Sequence, residues 1–213
     1  MKDRDKIRLN KLTKEFKEGF EFFESLKKGV VIFGSARTNA NDYYYKKAYK
    51  LAYKLAQKRF PIITGAGKGI MEAGNKGAKE AGGVSIGLNI DLPEYQERNY
   101  HITHYFKFNH FYTRKVIFTK YSFASVVFPG GYGTVDELFD QLAVLQNSKI
   151  PPRPIIIVGK SYYAGLINWM KKVLYKRKRI SKKDLNLFKV TDNIDEIIKI
   201  IETEYKATRK FFI

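Results

Sequence analysis

The chain has no cysteine among its 213 residues, and it has only three histidines and one tryptophan. Without cysteine, the protein cannot form disulfide bonds, thiolate metal sites or a cysteine nucleophile. The histidines, at positions 101, 104 and 110, do not follow a recognisable spacing of metal ligands. We therefore expect no metal site.

Long apolar runs are also missing. No stretch approaches the roughly 20 apolar residues of a membrane-spanning helix. The first six residues are mostly charged, and no apolar core follows them as it would in a secretory signal peptide. No Ser-, Gly- or Pro-rich linker divides the sequence, and a chain of this length can bury one good core. These features predict one domain over residues 1–213, in the cytoplasm.

Acidic residues are scarce, since 21 Asp and Glu face 40 Lys and Arg, for a net charge of +19. Eight of the basic residues fall within 171–183, a run that could contact a nucleic-acid backbone. However, lysine far outnumbers arginine, and Tyr175 is the one aromatic residue close to this run. We favour a solvated, lysine-biased surface over a nucleic-acid or membrane partner. Its positive field would steer an anionic substrate towards the protein.

Short apolar runs alternate with amphipathic segments along the sequence. The runs predict strands at 30–33, 61–64, 84–90, 123–128, 154–158 and 188–191. The amphipathic segments predict helices at 12–28, 42–59, 70–81, 109–120, 134–146, 162–175 and 194–205, with a loop over 91–103. This alternation indicates an α/β fold, a doubly wound, Rossmann-like and mostly parallel sheet with helices on both faces. The core spans about 30–205, and the helix over 12–28 precedes it.

Glycine-rich turns follow three of the predicted strands, at 34–37, 65–69 and 129–134. In a doubly wound sheet such turns converge at one edge, where ligands bind. Glycine lets the backbone approach a ligand, and the N–H groups and dipole of a following helix attract phosphate. Glu137 follows the third turn by one helical turn, so we expect chemistry next to a phosphate. The 65–69 turn lacks the full dinucleotide-binding fingerprint.

The run Pro129–Glu137 resembles the Pro-Gly-Gly-x-Gly-Thr-x-x-Glu motif of the LONELY GUY (LOG) family, which is often labelled "possible lysine decarboxylase". The pair Arg114-Lys115 resembles the Arg-Lys pair upstream of that motif. Residues 33–37 and 64–73 are similar to the family's first and second turns, and the resemblance extends over about 30–191. The chain departs from the family at Ala66 and Lys68, where a glycine and a proline are common.

The resemblance implies a phosphoribohydrolase. Such an enzyme cleaves the N-glycosidic bond of a nucleoside 5′-monophosphate, such as AMP or a cytokinin riboside monophosphate, to give a free base and ribose 5-phosphate. It also implies a homodimer. The decarboxylase label is not supported, because pyridoxal chemistry needs a Schiff-base lysine and a partner for the pyridinium nitrogen, and no motif provides them. We expect no cofactor.

The resemblance also implies roles for individual residues. Glu137 would hold the ribose and offset positive charge or orient water, and Arg114 would orient the substrate and stabilise the leaving group. The 5′-phosphate would be bound by Gly130, Gly131, Gly133 and Thr134. Further anion contacts would come from Lys115, Ser35 and Arg37. Because the turns converge at one edge of the sheet, we also expect Gly65, Gly67 and Glu72 in the binding site.

Two alternatives stay open on the sequence. Glu137 could act only as a first-turn acid that favours the dipole of its own helix. The same turn architecture is found in molybdenum-cofactor carrier proteins and in the DNA-processing protein A family. The chain could therefore be non-catalytic, either a module that binds a nucleotide, a cofactor or single-stranded DNA, or an interaction protein whose glycine turns are relics. The base that is accepted, and whether a partner subunit completes the site, are also open.

Overall fold

The computed structural model describes residues 2–92 and 97–208. Its strands are β1 Gly29–Phe33, β2 Ile62–Thr64, β3 Ser85–Ile90, β4 His104–Phe108, β5 Ser122–Val127, β6 Ile155–Ile157 and β7 Phe188–Val190. The α-helices are α1 Asp3–Phe22, α2 Tyr43–Gln57, α3 Ile70–Glu80, α4 Phe111–Tyr121, α5 Tyr132–Gln146, α6 Lys160–Trp169 and α7 Ile194–Thr208. A π-helix over Met170–Tyr175 continues α6, and a 3₁₀ turn over Asp184–Asn186 precedes β7.

The strands form one sheet in the order β4-β3-β2-β1-β5-β6-β7, and every neighbouring pair is parallel. In the centre, Val30 of β1 is in register with Ile62 of β2 on one side and with Ala124 of β5 on the other. The chain order of the strands reverses between β1 and β5, so the two strand ends diverge there and leave a crevice.

Helices cover both faces of the sheet, as the continuous apolar strands require. Val30 and Ile32 of β1 pack into one core cluster, together with residues of α2, α3 and α7. Val31 and Phe33 point to the opposite face and pack into a second cluster with α4, α5 and α6. The predicted doubly wound α/β fold with an extra N-terminal helix is confirmed.

Two elements differ from the sequence prediction. Helix α1 covers Asp3–Phe22 rather than 12–28, because residues 3–11 are all exposed and show no apolar period, while Asp3 and Asp5 stabilise the helix start. Strand β4 was missed, since it forms one edge of the sheet and most of its side chains are only partly covered. Within the predicted loop, 91–92 and 97–103 contain no helix or strand, and 93–96 lie outside the described residues.

Among the helices that the structure describes, none combines the length and the apolar character needed to span a membrane.

Candidate functional site

A cavity of about 1080 Å³ opens at the carboxyl edge of the sheet, at the crevice between β1 and β5. Its wall includes the first and third glycine turns and the beginning of α5. Most of the predicted site residues line it, namely Ser35, Arg37, Gly65, Arg114, Gly130, Gly131, Gly133, Thr134 and Glu137. The topology therefore brings together residues from four separate parts of the chain.

Backbone hydrogen bonds fix the two main turns against each other. The N–H of Ser35 donates to the carbonyl of Pro129 at 3.0 Å, and the N–H of Phe128 donates to the carbonyl of Phe33 at 2.8 Å. A Cβ at Gly130 would lie 2.1 Å from Thr134 Oγ1, so only glycine fits at this position. At Gly131 a Cβ would meet nothing within 4 Å, so the backbone there borders open space.

Two tyrosines of α6, which the sequence analysis did not single out, donate hydrogen bonds to backbone carbonyls at the third glycine turn. The hydroxyl of Tyr162 donates to the carbonyl of Gly130 at 2.9 Å. The hydroxyl of Tyr163 donates to the carbonyl of Phe128, also at 2.9 Å, from a fully buried position. Both carbonyls are thereby satisfied by side chains of α6, which holds the turn before α5 in place.

Arg114 of α4 and Glu137 of α5 meet in the cavity wall. Arg114 Nη2 lies 3.8 Å from Glu137 Oε1, and both side chains are almost completely shielded from solvent. Arg114 Nε and Glu137 Oε2 are buried without a hydrogen-bond partner in the described part of the chain. Buried polar atoms of this kind are rare in native proteins, and here both belong to side chains that line the cavity.

Burial dominates the ionisation of this pair. It raises the pKa of Glu137 to about 7, although Arg114 and, more weakly, Lys115 pull that pKa down. Burial also lowers the pKa of Arg114, against the opposing effect of Glu137. The guanidinium nonetheless stays charged, because its pKa is far above neutrality in water. Glu137 can thus exchange a proton near neutral pH, which is typical of functional carboxyl groups.

Helix α4, which presents Arg114, is held by the N-terminal helix through Glu15. The Glu15 side chain is 4% exposed. Its carboxylate accepts hydrogen bonds from the N–H of Asn109 at 2.5 Å and from the hydroxyl of Thr113, and it lies 3.1 Å from His110 Nδ1. A carboxylate from α1 therefore caps the start of α4. No local sequence pattern indicates this contact, because the two segments are far apart in the chain.

Three predicted site residues do not line the cavity. Lys115 Nζ lies 2.7 Å from Asp136 Oδ1 and faces a separate cavity of about 460 Å³. Gly67 turns its carbonyl towards the amide of Asn99, which donates to it at 2.9 Å. Glu72 lies on α3, where it reinforces the effect of burial in raising the pKa of Tyr45. We predicted these three residues from the turn they belong to or from a neighbouring residue in the sequence. In the structure, their side chains or backbone groups point elsewhere.

The second turn is a packing element. Gly69 has a φ of 65°, and a Cβ there would lie 2.3 Å from the carbonyl oxygen of Ser35, so this glycine permits the close contact of the two turns. Ala66 has a φ of 66°, a conformation that favours glycine. This is one of the two positions at which the chain departs from the LOG pattern.

Residues 71–201, more than half of the chain, match the family described as "Possible lysine decarboxylase". The chain belongs to this family. The match confirms the relationship to the LOG proteins that the glycine motif indicated. None of the curated proteins matches the chain.

Solved structures of the same fold support the architecture. The molybdenum cofactor binding protein from Rippkaea orientalis is 19% identical, with a TM-score of 0.61, over 84% of this chain and 98% of that one. The protein TM1055 is 23% identical, with a TM-score of 0.62, over 83% and 99% of the two chains. The molybdenum cofactor carrier protein from Chlamydomonas reinhardtii is 21% identical, with a TM-score of 0.59, over 84% and 99%. At these identities the likeness shows the fold.

Pyridoxal-dependent decarboxylation needs a lysine amine for the Schiff base. Among the described residues that line the cavity, the cations are Arg37 and Arg114, and there is no lysine. The described residues also contain no group of three or more His, Cys, Asp or Glu that could hold a metal ion.

Proposed function

We propose that this protein hydrolyses the N-glycosidic bond of a nucleoside 5′-monophosphate to give a free base and ribose 5-phosphate. One observation carries the proposal. A buried carboxyl group and a buried guanidinium, 3.8 Å apart, border the same cavity as a glycine turn at a helix N-terminus. A phosphate, a sugar and a leaving base need these three features side by side.

The phosphate would bind at the start of α5. Gly131 and Gly133 present backbone without side-chain obstruction, and Thr134 lines the cavity beside them. The positive end of the helix dipole and the free N–H groups of the first helical turn favour an anion at this position. Arg37, which is exposed at the cavity wall, supplies the nearest full positive charge apart from Arg114.

The sugar would lie next to Glu137. As the bond from C1′ to the base nitrogen breaks, its electron pair leaves with the base, and the ribose develops the positive charge of an oxocarbenium ion. A carboxylate beside C1′ stabilises that charge, and it can accept the proton of the water that attacks C1′. Ionised Glu137 fits both roles, because burial holds its charge in a poorly screened environment.

Arg114 would face the leaving base. Its N–H groups can donate hydrogen bonds to the departing base as the electron pair arrives. The proton that Glu137 accepts from the attacking water then passes to the base, directly or through solvent, and gives the neutral free base. The Arg114 side chain lies over the Phe111 and Phe118 rings, at 5.3 and 5.5 Å from their centroids. The aromatic side chains of Tyr44 and Tyr162 also line the cavity and offer faces on which a planar base can stack.

A substrate panel tests the proposal directly. The protein is incubated with purine and pyrimidine nucleoside 5′-monophosphates, AMP among them, and release of the free base is followed by chromatography. We expect release from at least one monophosphate and none from the matching nucleoside, since the nucleoside lacks the phosphate that the α5 start binds. Equal release from the nucleoside, or no release from any nucleotide, would overturn the proposal.

A second candidate is non-catalytic binding of a phosphorylated ligand. The cavity volume of about 1080 Å³ lies at the upper end of the range for small-molecule sites, so it can hold a ligand larger than AMP. Molybdenum cofactor is the ligand named for two of the structural neighbours. Tight binding of a nucleotide without base release, measured by calorimetry, would favour this candidate.

The proposed enzyme is a homodimer that pairs through α4. Phe111, Tyr112 and Val116 on this helix are 50%, 41% and 44% exposed, which is unusual for apolar side chains on one helix face. Phe111 also lines the cavity, so a second copy on this face would border the site. We expect Val116→Asp to convert the dimer to a monomer in light scattering, while Ile7→Asp, at a similarly exposed position of α1, leaves the dimer intact. A wild-type monomer at all concentrations would contradict this assembly.

A further inference from the structure

The basic run that follows α6 lies at the edge of the sheet opposite to the cavity. Helix α6 begins at Lys160, immediately after β6, on the carboxyl side of the sheet. It then runs back along the sheet, and the chain enters β7 at Phe188, parallel to the other strands. The segment between α6 and β7 is therefore at the amino edge. Any function of this segment is independent of the cavity at the carboxyl edge.

The basic side chains of this segment are exposed and have no acidic partners. All eight lysines and arginines of 171–183 are exposed, and none forms an ion pair with a carboxylate that the structure describes. Elsewhere lysines are commonly paired, as Lys54 is with Asp195 and Lys58 with Glu202. The nearest acid in the sequence, Asp184, accepts hydrogen bonds from the N–H of Ser181 and the amide of Gln146.

A groove of about 630 Å³ runs through this basic surface. It is lined by Tyr175, Lys176, Lys178 and Arg179, among other residues. The Tyr175 side chain is 39% exposed, and Trp169, six positions earlier, is 44% exposed. The turns of the π-helix over Met170–Tyr175 are wider than those of an α-helix, and such π segments often mark functional sites. Cations beside an exposed aromatic ring form the combination that binds a charged backbone and stacks a base.

We propose that this groove binds single-stranded nucleic acid, with Lys176, Lys178 and Arg179 on the phosphates and Tyr175 stacked on a base. By sequence, this run is predicted to be a solvated surface, because few aromatic residues interrupt it. In the structure, Tyr175 lines the same groove as three cations that form no ion pair with a described carboxylate. An anionic membrane is the less favoured partner, because the groove presents few large apolar side chains for insertion.

Binding of a fluorescein-labelled oligouridine of about 20 nucleotides, longer than the usual single-domain site, tests the proposal by fluorescence anisotropy. The measurement is made with the full chain at salt concentrations from about 50 to 200 mM. We expect the triple variant Lys176→Gln, Lys178→Asn, Arg179→Gln to bind more weakly and to reduce the slope of log K against log salt by about 2, at roughly 0.7 per phosphate contact. Asn is chosen for Lys178 because that residue has a φ of 56°.

Two matched variants make the test specific. Lys11→Gln, Lys46→Gln, Lys50→Gln removes the same charge from exposed positions on α1 and α2, and it should bind like the wild type. Tyr175→Ala should weaken binding about tenfold or more through lost stacking, whereas Tyr175→Phe should retain it. Equal losses in both triple variants would overturn the proposal. So would binding to phosphatidylglycerol vesicles without binding to the oligonucleotide. Base release from AMP is measured in parallel and should be unchanged in all these variants.

Discussion

Arg114 Nη2 lies 3.8 Å from Glu137 Oε1, yet the two groups do not form a hydrogen-bonded ion pair. Among the residues that the structure describes, each keeps a buried polar atom without a partner, on the side chains that line the cavity. A stabilising salt bridge would use these atoms on each other, because an unsatisfied buried charge is costly. We therefore attribute the pair to a role in the cavity rather than to stability, and this relationship leads to the first three predictions.

Glu137→Gln should abolish most of the base release from AMP. The amide keeps the shape of the side chain but cannot stabilise a developing positive charge, and removing one such electrostatic contributor commonly costs about 10² to 10³ in rate. The measurement is kcat from chromatography of the free base. The control is Asp136→Asn, which removes an exposed carboxylate on the same helix and should keep the wild-type rate. Similar rates for Glu137→Gln and the wild type would refute the role of Glu137.

The pH dependence of kcat/KM should report the ionisation of Glu137. Its pKa is raised to about 7 by burial, and the ionised form is the active one, so kcat/KM should rise with pH and level off above about 7. Measuring kcat/KM for AMP between about pH 5 and 9 locates this limb. A profile that is flat across neutrality, or one that falls as pH rises through 7, would contradict an ionised carboxylate as the active form.

The same ionisation should lower the stability of the folded protein. Because the folded pKa lies above the ordinary glutamate value of 4.5, folding favours the protonated form, and stability is lost as pH rises from about 4.5 to about 7. Replacement by glutamine removes this loss, which amounts to roughly 3 kcal/mol for a shift of that size. We expect Glu137→Gln to melt close to the wild type at pH 5 and well above it at pH 8. Identical differences in Tm at both pH values would argue against a buried, titrating Glu137.

Glu15→Gln should destabilise the protein by roughly 1–3 kcal/mol, because the amide cannot accept all the hydrogen bonds of the carboxylate. Burial alone would raise the pKa of Glu15, but hydrogen bonds from Thr113 and Asn109 outweigh burial and lower it. The stabilisation should therefore be present above the unfolded pKa and disappear as pH falls below it. Thermal melting at neutral and acidic pH measures this effect.

Glu18→Gln provides the control for Glu15. Glu18 lies on the same helix, but it is exposed and forms only a surface pair with Lys14 at 3.8 Å. Pairs of this kind contribute little, so the control should melt like the wild type at every pH. If both variants lost the same stability, the capping contact between α1 and α4 would not be important.

Much of the fold could be read from local patterns. The buried strands are continuous apolar runs such as 123–128, the glycine turns follow them, and the amphipathic period marks α2 and α7. These signals arise from neighbouring residues, so they survive in the sequence alone. Strand β4 was not predicted, because an edge strand is covered on fewer sides and its composition is less distinctive. The first turns of α1 were not predicted, because fully exposed helix positions have no apolar period.

The sequence by itself determined the α/β class, the position of the glycine turn that we propose to bind an anion, and the choice of Arg114 and Glu137 as candidates. Only the tertiary structure decided which candidates share a site. It turned Lys115 towards Asp136, placed Gly67 and Glu72 outside the cavity, and added Glu15 and Tyr162 as supports. The reason is physical. Strand and turn signals depend on local periodicity, whereas side-chain direction, burial and the pKa of Glu137 depend on contacts between segments that are distant in the chain.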